Sequence, residues 1–133
     1  MTIFEFMDIN NIKDTRIRII LANIVSVERG DKEAHSFLLS LCRELIKEAN
    51  EQGKINKVNH EEAVLPKHYT SLKAEPAKFI WEHNLDFFRG NIIKYLSRLG
   101  NKDSSLDELK KVFFYIDYLI MGNHEATSKE FNK

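Results

Sequence analysis

Cysteine, proline and glycine are all scarce in this chain of 133 residues, which holds one Cys, two Pro and five Gly. A lone cysteine excludes a disulfide framework and any zinc site built on several thiolates. With so little turn chemistry, β-sandwiches and small barrels are excluded as well. An excess of charge of either sign is also missing: 20 Lys and Arg stand against 20 Asp and Glu. That balance removes the plainest electrostatic argument for a general nucleic-acid or membrane-surface binder. No window approaches 18 uninterrupted apolar residues, and the segment Met1-Thr2-Ile3-Phe4-Glu5-Phe6-Met7-Asp8 has neither a basic n-region nor a small-residue cleavage site. The expectation is a soluble protein of the cytoplasm with no membrane partner.

What is present is helical pattern. With 43% hydrophobic and 30% charged residues, the chain can form amphipathic helices and bury a core of its own. Over 14–29, Ile17, Ile20, Leu21, Ile24 and Val27 fall on one stripe, with Asp14 as a cap and Gly30 as a stop. Over 31–52, Ala34, Phe37, Leu38, Leu41, Leu45 and Ala49 repeat it, and Gly53 follows. These two segments read as an antiparallel helical hairpin, and Cys42, inside an apolar run, as a buried small hydrophobe.

Residues 53–74 lack a sustained period and read as a connector. Further helices are expected over 76–83, led by Pro76; over 85–99, capped by Asn84 or Asp86; and over 105–121, opening at Ser105-Leu106-Asp107-Glu108. Residues 123–133 read as a flexible tail. The predicted fold is an all-α small helical bundle, made of an N-terminal hairpin (1–52), a connector (53–74), a C-terminal three-helix unit (75–122) and the tail. A two-helix hairpin leaves apolar stripes to be covered by the second half or by another copy, so a homo-oligomer is expected.

The second half carries the features that suggest a site. Residues 1–65 hold a net charge of −2 and 66–133 of +2, and ten of the 14 aromatic residues lie between Tyr69 and Tyr118. In Gly90-Asn91-Ile92-Ile93-Lys94-Tyr95-Leu96-Ser97-Arg98, the apolar residues take one arc while Asn91, Lys94, Tyr95 and Arg98 align on the other. Amide, ammonium and guanidinium offer donors to phosphate oxygens, and the phenol ring offers a face to a base. On the last helix Glu108, Lys111, Tyr115 and Tyr118 form a second polar and aromatic stripe. If the two helices pack with these stripes side by side, the groove between them is cationic and aromatic.

Standard catalytic signatures are missing. The glycines give no G-x-x-x-x-G-K-[ST] loop and no G-x-G-x-x-G turn, and the five histidines form no H-E-x-x-H pair. No metal site is assigned, and magnesium is not evident.

From His68 to Ile120 the chain resembles the phage DUF3310 or SaV-like family. The motifs are His68-Tyr69; Glu75-Pro76 with Phe79-Ile80; Gly90-Asn91, Lys94-Tyr95 and Arg98; and Asp107-Glu108-Leu109-Lys110-Lys111 with Tyr115. The chain departs from the family pattern at Asp107-Glu108, where the order is reversed, and at Asp103-Ser104, which replace glycines. Residues 14–52 also resemble the helical YqeY/GatB tail domain. One branch of the DUF3310 family carries this region in nucleotide kinases that lack a Walker loop. The resemblance thus implies a phage-encoded (deoxy)nucleotide-binding protein of the host cell cytoplasm, with a nucleoside triphosphate as phosphate donor if it is a kinase.

On that view Lys94, Arg98 and Lys111 contact phosphates, Asn91 adds a donor, Tyr95 or Tyr69 stacks on the base, and His68 and Glu108 are the acid/base or positioning groups. The alternative is a non-enzymatic protein that binds and blocks a host factor or sequesters a nucleotide signal, with the 1–52 hairpin as the partner surface.

Overall fold

A computed structural model describes residues 1–55, 72–99 and 105–132, with side chains through Glu51 in the first stretch. The described residues form seven α-helices: α1 (Ile3–Ile9), α2 (Thr15–Ile24), α3 (Lys32–Ile55), α4 (Pro76–Glu82), α5 (Phe87–Ser97), α6 (Ser105–Met121) and α7 (Glu125–Phe131). The fold is all-α, a small helical bundle. Among the described residues no helix is long and apolar enough to cross a membrane.

The helix α6 is central, packing most extensively against α3 on one side and α5 on the other. Its buried stripe is the one the periodicity marks: Leu109, Val112, Phe113, Ile116, Leu119 and Ile120. The stripe of α2 is buried as expected, but α2 packs on α5 as well as on α3. The hairpin is therefore not a separate layer. Its stripes are covered by the second half of the same chain, in one continuous core, which is one of the two ways open to a two-helix hairpin. On α3, Phe37 is exposed, while Leu39 and Cys42 occupy the buried arc with Leu38 and Leu41.

Several boundaries depart from the sequence expectation for identifiable reasons. The helix expected over 14–29 stops at Ile24 because its last carbonyls are taken by another helix. Arg89 on α5 donates from Nε to the Ile24 carbonyl at 2.8 Å and from Nη2 to the Val27 carbonyl. A left-handed Gly30 then turns the chain, its N–H bonding the Ile120 carbonyl at 2.6 Å. At the far end, α3 runs through Gly53 to Ile55.

Two helices went unread in the sequence. The first, α1, opens with a capping box, in which the Thr2 side chain accepts from Glu5 N and the Glu5 side chain from Thr2 N. It buries Ile3, Phe6 and Met7. The second, α7, lies where a flexible tail was expected. Its N-cap residue His124 makes no side-chain capping bond, but Asn123 Oδ1 accepts from Glu125 N at 3.0 Å, and Asp117 of α6 accepts from Thr127 N at 2.9 Å and from Thr127 Oγ1 at 2.8 Å. Part of the cap is thus supplied from ten residues away. Phe131 then packs edge-on against Phe113, and Glu130 pairs with Arg43 of α3.

The position of α4 is fixed by backbone matching. Asn10, just after α1, pairs its side-chain amide with both the N–H and the carbonyl of Ala74 at 2.9 Å. After α4 the left-handed Asn84 reverses the chain, and Asp86 caps α5 by accepting from Arg89 N. On α5, Gly90 allows close approach: a Cβ there would lie 3.2 Å from Ile80 Cγ2. The absent side chain at 90 is what lets α4 lie against α5.

Candidate functional site

Packing of α5 on α6 brings the two sequence stripes together. The rings of Tyr95 and Tyr115 stack in parallel, with centroids 6.1 Å apart and planes at 9°. Three cations surround the Tyr95 ring: Lys94 Nζ at 5.1 Å from its centroid, Lys111 Nζ at 5.4 Å and Arg98 Cζ at 6.0 Å. Each lies within reach of a cation–π contact. Among the described residues none of the three forms an ion pair, and Arg98 Nε is a buried donor with no hydrogen-bond partner. Three positive charges, none of them in an ion pair among the described residues, converge on one phenol ring.

The aromatic surface continues beyond this cluster. Tyr115 meets Phe87 and Phe114 edge-on, Phe88 stacks on Tyr118 at 5.1 Å, and Phe114 reaches His124. Burial, with the neighbouring Tyr95, pushes the Tyr115 hydroxyl above its usual range, so it stays protonated near neutrality. Phe87 remains 66% exposed and Trp81 on α4 80% exposed.

The expected site residues sort into three groups. Lys94, Tyr95, Arg98 and Lys111 come together as described. Asn91 turns back along its own helix, its Nδ2 donating to the Phe87 carbonyl at 2.8 Å, so one of its donors is already used. Glu108 is 7% exposed, one turn before Lys111. His68 and Tyr69 lie outside the described residues.

The sequence reading did not find the hollow on the other flank of α5. Lys94 and Arg98 also line a groove of about 490 Å³ between α4 and α5, with Leu72, Pro76, Ala77 and Ile80 opposite. Its walls come from two helices, so no local motif announces it. Among the described residues no three His, Cys, Asp or Glu side chains converge as metal ligands. Asp86 serves the scaffold instead. Burial works to raise its carboxyl, but hydrogen bonds from Arg89 outweigh that and hold it below the usual range.

Fold and site together define a small all-α protein with a cationic and aromatic helix face. Residues 64–117 match the family described as a protein of unknown function (DUF3310), so the resemblance drawn from the motifs is shown for the segment that holds α4, α5 and most of α6. No curated protein and no solved structure matches this chain.

Proposed function

We propose that this protein binds a (deoxy)nucleotide through its phosphate, with Lys94, Arg98 and Lys111 as the phosphate contacts. The observation that carries this reading is the convergence on Tyr95 of three cations that form no ion pair among the described residues. Like charges gathered at one ring repel, and cation–π attraction of about 0.5–1 kcal/mol each at exposed sites works against that repulsion. A bound phosphate neutralises the cluster, and Arg98 offers the planar fork that phosphate geometry favours. On this reading the protein acts in the cytoplasm of a phage-infected cell. If it is a nucleotide kinase, the triphosphate that donates phosphate binds at the same face. Glu108 is too enclosed to reach a substrate without movement of the first turn of α6, which makes it a positioning group within this proposal.

The test is a thermal-shift panel of nucleoside mono-, di- and triphosphates with and without magnesium. A ligand at 100 times its Kd should add about 2.7 kcal/mol of stability. Absence of a shift with every nucleotide would overturn the reading.

A second reading, capture of a host protein or of a second copy, is favoured by a different observation: Met1, Phe4 and Ile9 at α1 are exposed apolar residues. Sedimentation of the wild type beside Phe4→Ser would reveal whether α1 holds an oligomer together.

A further inference from the structure

The phosphate reading places an anion beside Tyr95 but leaves the rest of the ligand without a seat. Tyr95 itself is a poor seat, since Tyr115 stacks on its ring and three cations crowd around it. Lys94 and Arg98, however, face two ways. Besides flanking Tyr95, both line the groove between α4 and α5, whose volume of about 490 Å³ falls in the range of about 300–1,000 Å³ typical of small-molecule sites. A neighbouring hollow of about 240 Å³ shares Ile80 and Lys94 with it. The opposite wall, Pro76, Ala77 and Ile80, is apolar. A flat heterocycle with an anionic tail matches such a groove, because its ring can cover the apolar wall while its tail meets the cations.

One lining residue adds selectivity. Glu75, the residue before α4, contributes to the groove, and its side chain makes no hydrogen bond capping the helix it precedes. A carboxylate accepts hydrogen bonds and donates none. Guanine presents two adjacent donors, N1–H and the 2-amino group, and can pair with a carboxylate in bidentate fashion. Uracil presents N3–H between two carbonyl oxygens, both of which a carboxylate repels. From this juxtaposition we infer that the α4–α5 groove is the nucleobase subsite, with Glu75 selecting bases that present paired N–H donors, guanine foremost. The inference rests on the phosphate reading, and the experiment separates the two.

Calorimetric titration of the full-length protein with GMP, UMP and ribose 5-phosphate provides the test, repeated with Glu75→Gln. Expected results are GMP binding at least tenfold more tightly than ribose 5-phosphate and about tenfold more tightly than UMP, as for a hydrogen bond to a charged group. In Glu75→Gln the preference of GMP over UMP should collapse, with ribose 5-phosphate unchanged. Glu75 is exposed, so the variant should melt like the wild type. Should GMP bind no more tightly than ribose 5-phosphate, the base subsite is overturned while the phosphate reading stands. A preference that persists in Glu75→Gln overturns the role of that carboxylate. Failure of all three compounds to bind overturns both readings.

Discussion

His35 on α3 and Asp117 on α6 are joined by a 2.8 Å contact between Nε2 and Oδ1, with the Asp117 side chain only 1% exposed. The other carboxylate oxygen holds Thr127 at the start of α7. This carboxylate therefore ties three helices, and the sign of its mutational effects follows. Asp117→Ala leaves the His35 ring and the Thr127 N–H without their partner and should cost about 3 kcal/mol. Asp117→Asn keeps an acceptor and should cost distinctly less. Urea denaturation of the two variants gives the comparison, and equal losses would contradict it.

Cys42 is the only cysteine and is fully buried on α3, where its Sγ faces the Leu109 carbonyl at 3.6 Å. Burial pushes its thiol up to about 12. Since the thiolate is the reactive form, the native protein should resist iodoacetamide at pH 8 and react readily in denaturant. Rapid alkylation of the folded protein would mean that the α3 and α6 contact opens.

Asp14 caps α2 by accepting from Arg16 N at 2.8 Å and Ile17 N at 3.3 Å, and its carboxyl also meets the Arg16 side chain. The Arg16 side-chain hydrogen bond, aided by those from the backbone, holds the carboxyl below its usual value of 3.8. A depressed folded value means that the stabilisation is full above the unfolded value and is lost as pH falls through the folded one. Asp14→Ala should therefore cost about 1 kcal/mol at pH 7, with the difference from wild type shrinking below pH 3.8. Melting temperatures across pH 2–7 would show it.

The helices that the sequence announces are those whose signals are local. The buried stripe of α6, with Val112, Phe113 and Ile116, follows directly from a spacing of three and four. The same spacing aligns Lys94, Tyr95 and Arg98, which is why that part of the site was legible. What was missed depends on partners far away in sequence. Arg89 bonds the carbonyls at the end of α2, Asp117 holds Thr127 in the first turn of α7, and Gly90 admits Ile80 where α4 meets α5. Two overlooked signals were local, the capping pair Thr2 and Glu5 of α1 and Asn123, which accepts from Glu125 N at the start of α7. Phe37 satisfies the helical period and is nonetheless exposed, because the buried arc of α3 runs through Leu38, Leu41, Leu45 and the neighbouring Cys42.

The most direct test of phosphate binding at the Tyr95 cluster pairs melting with calorimetric titration of GMP into Lys94→Ala, Arg98→Ala, Lys111→Ala and Leu96→Ala. Lys94→Ala and Lys111→Ala should melt nearly as the wild type does, since changes of exposed residues away from packing cost no more than about 0.5 kcal/mol, and Arg98→Ala, at a half-buried position, should melt closer to the wild type than Leu96→Ala does. Each cation variant should also bind at least tenfold more weakly, the loss of a charge-assisted contact of roughly 1.5–3 kcal/mol. Leu96, buried on the opposite arc of α5, should behave in reverse, losing about 2–5 kcal/mol of stability through the cavity it leaves. The account is contradicted if Arg98→Ala destabilises the fold as much as Leu96→Ala, or if all three cation variants bind GMP as the wild type does.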